Sequence, residues 1–300
     1  MAEITRKRTG ELLRQLFEIL LEHPEGLQAG KALEMLQNRV RLTEYERGSY
    51  DSGGGTRFIR IVRFATVDCV KAGWLLKQKG QWFITDEGRE AYLSYTEPEA
   101  FYKQAVKLYR EWKLGQPARS ERDVVEAEEN NAKEVSIKFE QAEEQAWYEV
   151  EQYLRGMNPY EFQELVASLL RAMGYHVSWI SPPGKDGGID ILAYSDPLGT
   201  RPPRIKVQVK RLGAGNSVNV EGLRSFMALL GDDDVGLFVT TSSFTKDAQT
   251  EARTQGKRKI TLIDLERLFD LWVEYYAKLD DASRRRMPLK PIYFLAPEGQ

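Results

Sequence analysis

Gly184-Lys185-Asp186-Gly187-Gly188-Ile189-Asp190, followed without a break by ILAYSDPLGTRPPRIKVQVKR over residues 191–211, is the stretch whose reading decides the fold. It holds two short apolar runs, Ile189 to Tyr194 and Ile205 to Val209. Both are rich in β-branched residues and bounded by Gly or Pro clusters, the pattern of buried strands. Asp186-Gly187-Gly188 predicts a tight turn, because glycine accepts a positive φ without steric cost. Ser195 to Arg204, with three prolines and a glycine, predicts the connection between the strands. The result is a hairpin with Asp190 near the start of one strand and Gln208 and Lys210 near the end of its neighbour.

Residues i and i+2 on a strand share a face. Gln208 and Lys210 therefore point one way, and Ile205, Val207 and Val209 the other. If Asp190 joins the first set, a carboxylate, a carboxamide and an ammonium converge at one end of a sheet. Hard cations take oxygen ligands, and Mg²⁺ keeps several waters while contacting phosphate, so this set suits a Mg²⁺ and phosphate site. The competing reading is a half-buried hairpin with polar residues on its wet face.

The D-G-G-I-D … V-Q-V-K-R pattern resembles the catalytic domain of Mrr-type restriction endonucleases. These fall in the PD-(D/E)xK nuclease superfamily, in a branch where Gln stands for the usual acidic residue. The run from Pro159 to Tyr175 resembles the family's first helix and the strand entry after it. The resemblance covers roughly residues 158–271. It implies Asp190 and Gln208 as ligands of Mg²⁺ and Lys210 as the residue that positions or activates water. The family often has Glu directly after the helix Phe. Here Gln163 holds that place and Glu164 follows, so whether the helix supplies an acid is open, with Glu164 its candidate.

Composition bounds the rest. Three hundred residues suggest two domains, and 42% hydrophobic with 29% charged residues is ordinary for a soluble protein. A net charge of −2 means that any DNA contact comes from local patches. One cysteine and two histidines make neither a disulfide framework nor a usual structural zinc site. Cys69 reads as a small core residue. No apolar run reaches the length of a membrane span, and the first ten residues lack the apolar segment of a signal peptide, so a cytoplasmic protein is expected.

Before the hairpin, apolar periodicity predicts helices over about 9–23, 27–38 and 57–72, with a glycine-rich loop at 51–55. Short strands follow at Trp74-Leu75-Leu76 and Trp82-Phe83-Ile84, and another helix opens at Thr85. Three helices followed by a hairpin is the winged-helix order, in which the third helix commonly reads the major groove. Tyr45, Arg47, Gly53 to Gly55, Arg60-Ile61, Ala72-Gly73-Trp74 and Ile84 to Gly88 resemble the N-terminal domain that accompanies Mrr catalytic domains. Between Arg57 and Lys79, six bases (Arg57, Arg60, Arg63, Lys71, Lys77 and Lys79) face one acid, Asp68. That excess suits phosphate contacts. A solvated helix face, or a winged helix that binds protein, is the plainer alternative.

Residues 99–113 predict a helix with Phe101, Tyr102, Ala105, Leu108, Tyr109 and Trp112 on one side, broken at Gly115-Gln116-Pro117. Glu121 to Glu151 carries eleven acids against three bases, yet Val135, Phe139, Ala142, Ala146, Val150 and Leu154 keep a helical stripe. Such a segment reads as a helical connector packed on the catalytic domain, with masking of basic surface as the alternative. Helices then alternate with short strands to about residue 279, which predicts a sheet covered by helices. Ser242, Ser243 and Thr245 fit either a phosphate-holding helix start or plain caps. Asp232-Asp233-Asp234 reads as a loop, since consecutive residues point apart, and His176 as an ordinary surface or core residue.

The expectation is thus an α/β chain. It has a winged-helix domain over 1–98, an acidic helical linker over 99–155, a restriction-endonuclease-like three-layer αβα domain over 156–280 and a tail over 281–300. The resemblance implies Mg²⁺-dependent hydrolysis of double-stranded DNA in defence against foreign, methylated DNA, of the type IV kind. Cutting both strands calls for a homodimer or higher homo-oligomer, with the 101–112 helix or the 135–154 stripe as its apolar surface. A repair or junction nuclease of the same superfamily and a catalytically inactive DNA-binding regulator are the alternatives.

Overall fold

The computed structural model describes residues 4–49, 56–114, 125–184, 187–213, 215–256 and 258–294, without the side chains of 125–131. The glycine run at 53–55, the break at 115–117, and Lys185 and Asp186 of the predicted turn lie outside these residues. The chain divides into two compact units, Met1–Tyr148 with Tyr293–Gln300, and Glu149–Ile292.

The first unit begins with α1 (Arg6–Glu22), capped by the Thr5 hydroxyl, which accepts from the Arg8 N–H. Leu12, Leu13, Leu16, Phe17, Ile19 and Leu20 fall on one stripe and are buried, which is what holds the helix in the fold. β1 (Leu27–Gln28), α2 (Ala29–Arg39) and the short α3 (Glu44–Arg47) follow. Next come α4 (Arg57–Lys71), β2 (Leu75–Gln78), β3 (Gln81–Ile84) and α5 (Asp86–Ser94). The three strands form an antiparallel sheet in the order β1-β3-β2, with β2 and β3 as the wing hairpin. This is a winged helix, and α4 holds the position of its third helix.

α6 (Pro98–Leu114) belongs to this core. Phe101 and Ala105 are fully buried, and the Phe101 ring lies 4.9 Å from Trp74 and 5.0 Å from Phe17. The apolar stripe expected to be spare for pairing with a second chain is thus consumed within the first unit. α7 (Val125–Gly156) corrects another expectation. Up to Tyr148 it belongs to the first unit rather than packing on the catalytic one. Its buried side chains there are Lys133, Ile137, Glu140 and Trp147, while Val135 is 37% exposed and Ala146 is exposed. The face that docks is the charged one, because α4 and the wing present it with opposite charge.

The second unit opens with α8 (Pro159–Ala172), started by the Asn158 side chain and Pro159. β4 (His176–Ile180), β5 (Ile191–Tyr194) and β6 (Arg204–Lys210) form an antiparallel run. After β7 (Ser217–Val218) and α9 (Val220–Met227), β8 (Asp234–Thr240) pairs parallel to β6. β9 (Ser243–Phe244), α10 (Lys246–Thr254), β10 (Lys259–Ile263), α11 (Leu265–Tyr275) and α12 (Asp281–Arg284) complete the order. The main sheet runs β10-β8-β6-β5-β4.

β8 shows how the layers arise. Leu237 and Val239 point towards Val166 and Leu169 of α8 and Leu268 of α11. Phe238 points the other way, into a cluster with Leu223 and Phe226 of α9 and Ala248 of α10. Strand alternation between two helical layers makes this a three-layer αβα domain. Buried Asp234 ties the start of β8 to β6 through Arg204 (2.9 Å) and Lys206 (2.8 Å). Burial works against its charge, yet Lys206, the Gly231 N–H and Arg204 hold its carboxyl below the usual range. Asp234 is therefore a structural ion-pair partner and not one of a metal cluster. The tail from Asp281 to Ile292 belongs to this unit, with Met287 buried and the Arg286 carbonyl accepting from the Tyr153 hydroxyl.

Candidate active site

The site lies where the parallel strands β6 and β8 end. In their register Lys206 stands beside Gly236, Gln208 beside Phe238 and Lys210 beside Thr240. All three β6 side chains thus project on the α9 side of the sheet, as Lys206 shows by donating to the Leu229 carbonyl at 2.7 Å. Lys210 reaches the first turn of α9, where a Cβ on Gly222 would sit 3.6 Å from its Nζ. Ile205 and Val207 are buried on the opposite side.

Asp190 is brought to the same edge by an irregularity in the ladder. Regular pairing of β5 with β6 reaches Ile191 opposite Val207. One residue earlier, the Asp190 N–H still donates to the Val207 carbonyl at 2.8 Å. Its Oδ2 then accepts from the Val209 N–H at 2.7 Å, where a strand backbone would otherwise be the acceptor. The carboxylate is thereby fixed to the backbone of β6 at Val209, the residue between Gln208 and Lys210 in sequence. Gly188, at φ +72 with Leu229 Cδ1 2.6 Å from where its Cβ would be, makes the approach to Asp190 a glycine-only turn. The Oε1 of Gln208 is buried and has no hydrogen-bond partner among the described residues.

The α8 residues divide as the sequence left open. Gln163 is buried, and its Nε2 donates to the carbonyls of Ser181 (3.0 Å) and Asp190 (3.1 Å). It clamps the backbone that carries Asp190. Glu164, one residue on, lies 3.7 Å from Arg286. No local pattern announces the part played by Gln163, because its acceptors are 18 and 27 residues away. A carboxylate in its place would face two carbonyl oxygens with nothing to donate. Gln163→Glu is expected to cost about 2 kcal/mol at pH 8 through an unsatisfied buried group. Burial raises the folded-state pKa of such a Glu above the unfolded value of about 4.3, so the penalty grows as pH rises from there and vanishes below it. Thermal melts at pH 4 and pH 8 check this: a deficit equal at both rules the clamp out.

Thr245 is a plain N-cap, accepting from the Ala248 N–H at 3.3 Å, and Ser243 lies in β9. His176 is exposed at the start of β4. Among the described residues no three His, Cys, Asp or Glu side chains form a metal cluster. The chemistry of the gathered set nevertheless fits a hard cation: one carboxylate and one buried, unpartnered amide oxygen leave the rest of the shell to water and phosphate. Mg²⁺ held by Asp190 and Gln208 would supply charge neutralisation and Lewis acidity at a phosphodiester.

A restriction endonuclease family model, that of the Mrr catalytic domain, matches residues 154–272, and the model of the Mrr N-terminal domain matches residues 10–93. Both domains are those of the Mrr family. No curated protein matches the chain. Among solved structures, MspJI restriction endonuclease in complex with a 27-mer oligonucleotide is 20% identical, with a TM-score of 0.33. That match covers 64% of this chain, which spans only 44% of the MspJI chain. By the family match alone, residues 154–272 form a restriction endonuclease domain. Among the described residues no helix is long and apolar enough to cross a membrane.

In the Mrr N-terminal domain the six bases proposed for DNA do not form an open face. Arg63 is 5% exposed and bonded to Glu140 (2.8 Å) and Glu144 (2.7 Å) of α7. Lys77 is bonded to Glu140 (2.7 Å) and the Thr66 hydroxyl (2.8 Å), and burial pushes its pKa down. Arg60 pairs with Glu134. Arg57 lies 4.6 Å over Tyr45, Lys71 4.6 Å over Trp112, and Lys79 5.7 Å over Trp147. Carboxylates of α7, more than 60 residues away in sequence, thus pair with three of the six bases, and the other three lie over aromatic rings.

Proposed function

We propose that this chain is a Mg²⁺-dependent endonuclease that hydrolyses phosphodiester bonds of double-stranded DNA, in a type IV-like restriction system directed at methylated foreign DNA. The observation that carries the chemical part is the orphaned, buried Oε1 of Gln208, on the residue next to the Val209 N–H that holds the Asp190 carboxylate, with Lys210 two residues along the strand. Buried polar atoms without partners are rare, and one at the carboxyl end of a parallel strand points to a ligand. In this reading Asp190 and Gln208 hold the cation. The Lys210 ammonium, with no ion-pair partner among the described residues, orients the attacking water or the scissile phosphate. The family supports the restriction role, and methylated DNA as target and the cytoplasm as location are part of the proposal.

One such site hydrolyses one strand. The two scissile phosphates of a duplex are related by a local two-fold axis, and a C2 homodimer matches it. Supercoiled plasmids, methylated and unmethylated, incubated with Mg²⁺ or EDTA, test the reading: cutting should need both Mg²⁺ and methylation. Titrating wild type with excess Asp190→Ala protein tests the pairing, since mixed dimers should turn linear product into nicked circles. Metal-independent cutting would remove the proposed chemistry. Linear product that falls only with the wild-type share, without more nicks, would remove the dimer.

A further inference from the structure

We propose that the acidic face of α7 occupies the DNA-phosphate surface of the winged helix, so that duplex DNA and α7 compete for the same cations. The inference rests on the reading of the first unit as a duplex-DNA binder. α4 and the wing hairpin are the elements a winged helix applies to DNA, and each is met here by a carboxylate of α7. Glu134 takes Arg60, Glu140 takes Arg63 and Lys77, and Glu144 takes Arg63. The carboxylates also accept from groups that face a phosphate equally well: the Trp82 Nε1–H at 2.8 Å and the Gly30 N–H at 3.1 Å. At the tip of the wing, a Cβ on Gly80 would lie 3.1 Å from the Glu144 Cα, so α7 backbone fills the space above the turn.

The way α7 docks supports competition over simple packing. An amphipathic helix that merely completes a core buries its apolar stripe. α7 instead buries Lys133 and Glu140 beside Ile137 and Trp147 and leaves Val135 and Ala146 outward. Its carboxylates sit where a row of phosphate oxygens would sit, and the bonds they make are charge-assisted ones that a phosphate can replace. Lys133 and Asp68, paired at 2.5 Å, add a point of registry that DNA would have to break.

Two full-length variants test this with an unmethylated duplex in fluorescence anisotropy, followed over a salt series. Glu134→Gln/Glu140→Gln/Glu144→Gln frees Arg60, Arg63 and Lys77. It should bind about tenfold tighter than wild type. Three more phosphate contacts should steepen the slope of log K against log salt by about 3, at roughly 0.9 per contact. Gly80→Cys/Glu144→Cys does the reverse; Gly80 holds φ +73, so the variant carries backbone strain, which is common to its oxidised and reduced forms and cancels in their comparison. The two Cβ atoms would stand 3.2 Å apart, close to the 3.5–4.5 Å of a disulfide. Cys69 stays out of exchange, because it is buried and burial pushes its thiol pKa up. Oxidised, this variant should bind at least tenfold more weakly and with a shallower salt slope than when reduced. Binding that is the same in wild type, triple variant and both redox forms, while wild type still cuts DNA with Mg²⁺, overturns the competition alone. No binding and no cutting by any form overturns the nuclease reading and this inference together.

Discussion

Asp190→Asn is expected to reduce DNA cleavage about a thousandfold while leaving the fold and DNA affinity close to wild type. The carboxylate makes two contributions that this substitution separates. Its Oδ2 accepts from the Val209 N–H at 2.7 Å, which holds the end of β6 in place. Its charge is the part a hard cation needs. Asparagine keeps an oxygen for Val209 but loses the charge, so the loss falls on the chemical step. Removing metal-assisted stabilisation worth roughly 4 kcal/mol corresponds to that factor in rate. Asp190→Ala removes both contributions and leaves the Val209 N–H without its acceptor, which adds a stability loss of about 1–3 kcal/mol. The check is single-turnover plasmid cleavage in Mg²⁺ beside a thermal melt for each variant. An Asn variant that cuts within tenfold of wild type would place the chemistry elsewhere.

The same residues show how far the sequence carries. β-branched runs between glycines and prolines announced both strands of the hairpin, and the two-residue period put Gln208 and Lys210 on one face, where the register with β8 has them. Asp190 was visible as a strand-start acid, but its approach to Val209 depends on a ladder irregularity that no period encodes. β1, β7 and β9, at two residues each, are too short to carry any periodicity. The helices of the first unit were legible from their stripes, yet what those stripes touch was not. Phe101 belongs with Phe17 and Trp74, 84 and 27 positions away by number. For α7 the stripe pointed the wrong way. Hydrophobic spacing selected Val135, Phe139, Ala142, Ala146, Val150 and Leu154; Leu154 is buried as expected, but in the first-unit part of the helix docking follows charge on nearly the opposite side, set by bases on α4 and the wing that lie far off in sequence.

That charge-led docking makes Arg63 the residue of the first unit least able to be reversed. Its guanidinium bonds two carboxylates, Glu140 at 2.8 Å and Glu144 at 2.7 Å, and its side chain is 6% exposed. Arg63→Glu would put three carboxylates around one remaining cation, Lys77. Breaking a buried pair costs about 3–5 kcal/mol. For a unit of this size each kcal/mol moves the melting temperature by roughly 2–4 °C, so a drop near 10 °C is expected. If α7 lets go first, the loss stops at the free energy of docking, and new protease cuts appear between residues 132 and 148 while the winged-helix core melts where it did. Either result should ease as pH falls, because protonation of the crowded carboxylates removes the repulsion. Arg39→Ala is the control. It removes an ion pair to Glu22 whose side chains are 31% and 49% exposed, and pairs of that kind are worth about 0–1 kcal/mol. An Arg63→Glu protein that matches the Arg39→Ala protein in melting and in protease sensitivity would show that α7 is held by something other than its carboxylates.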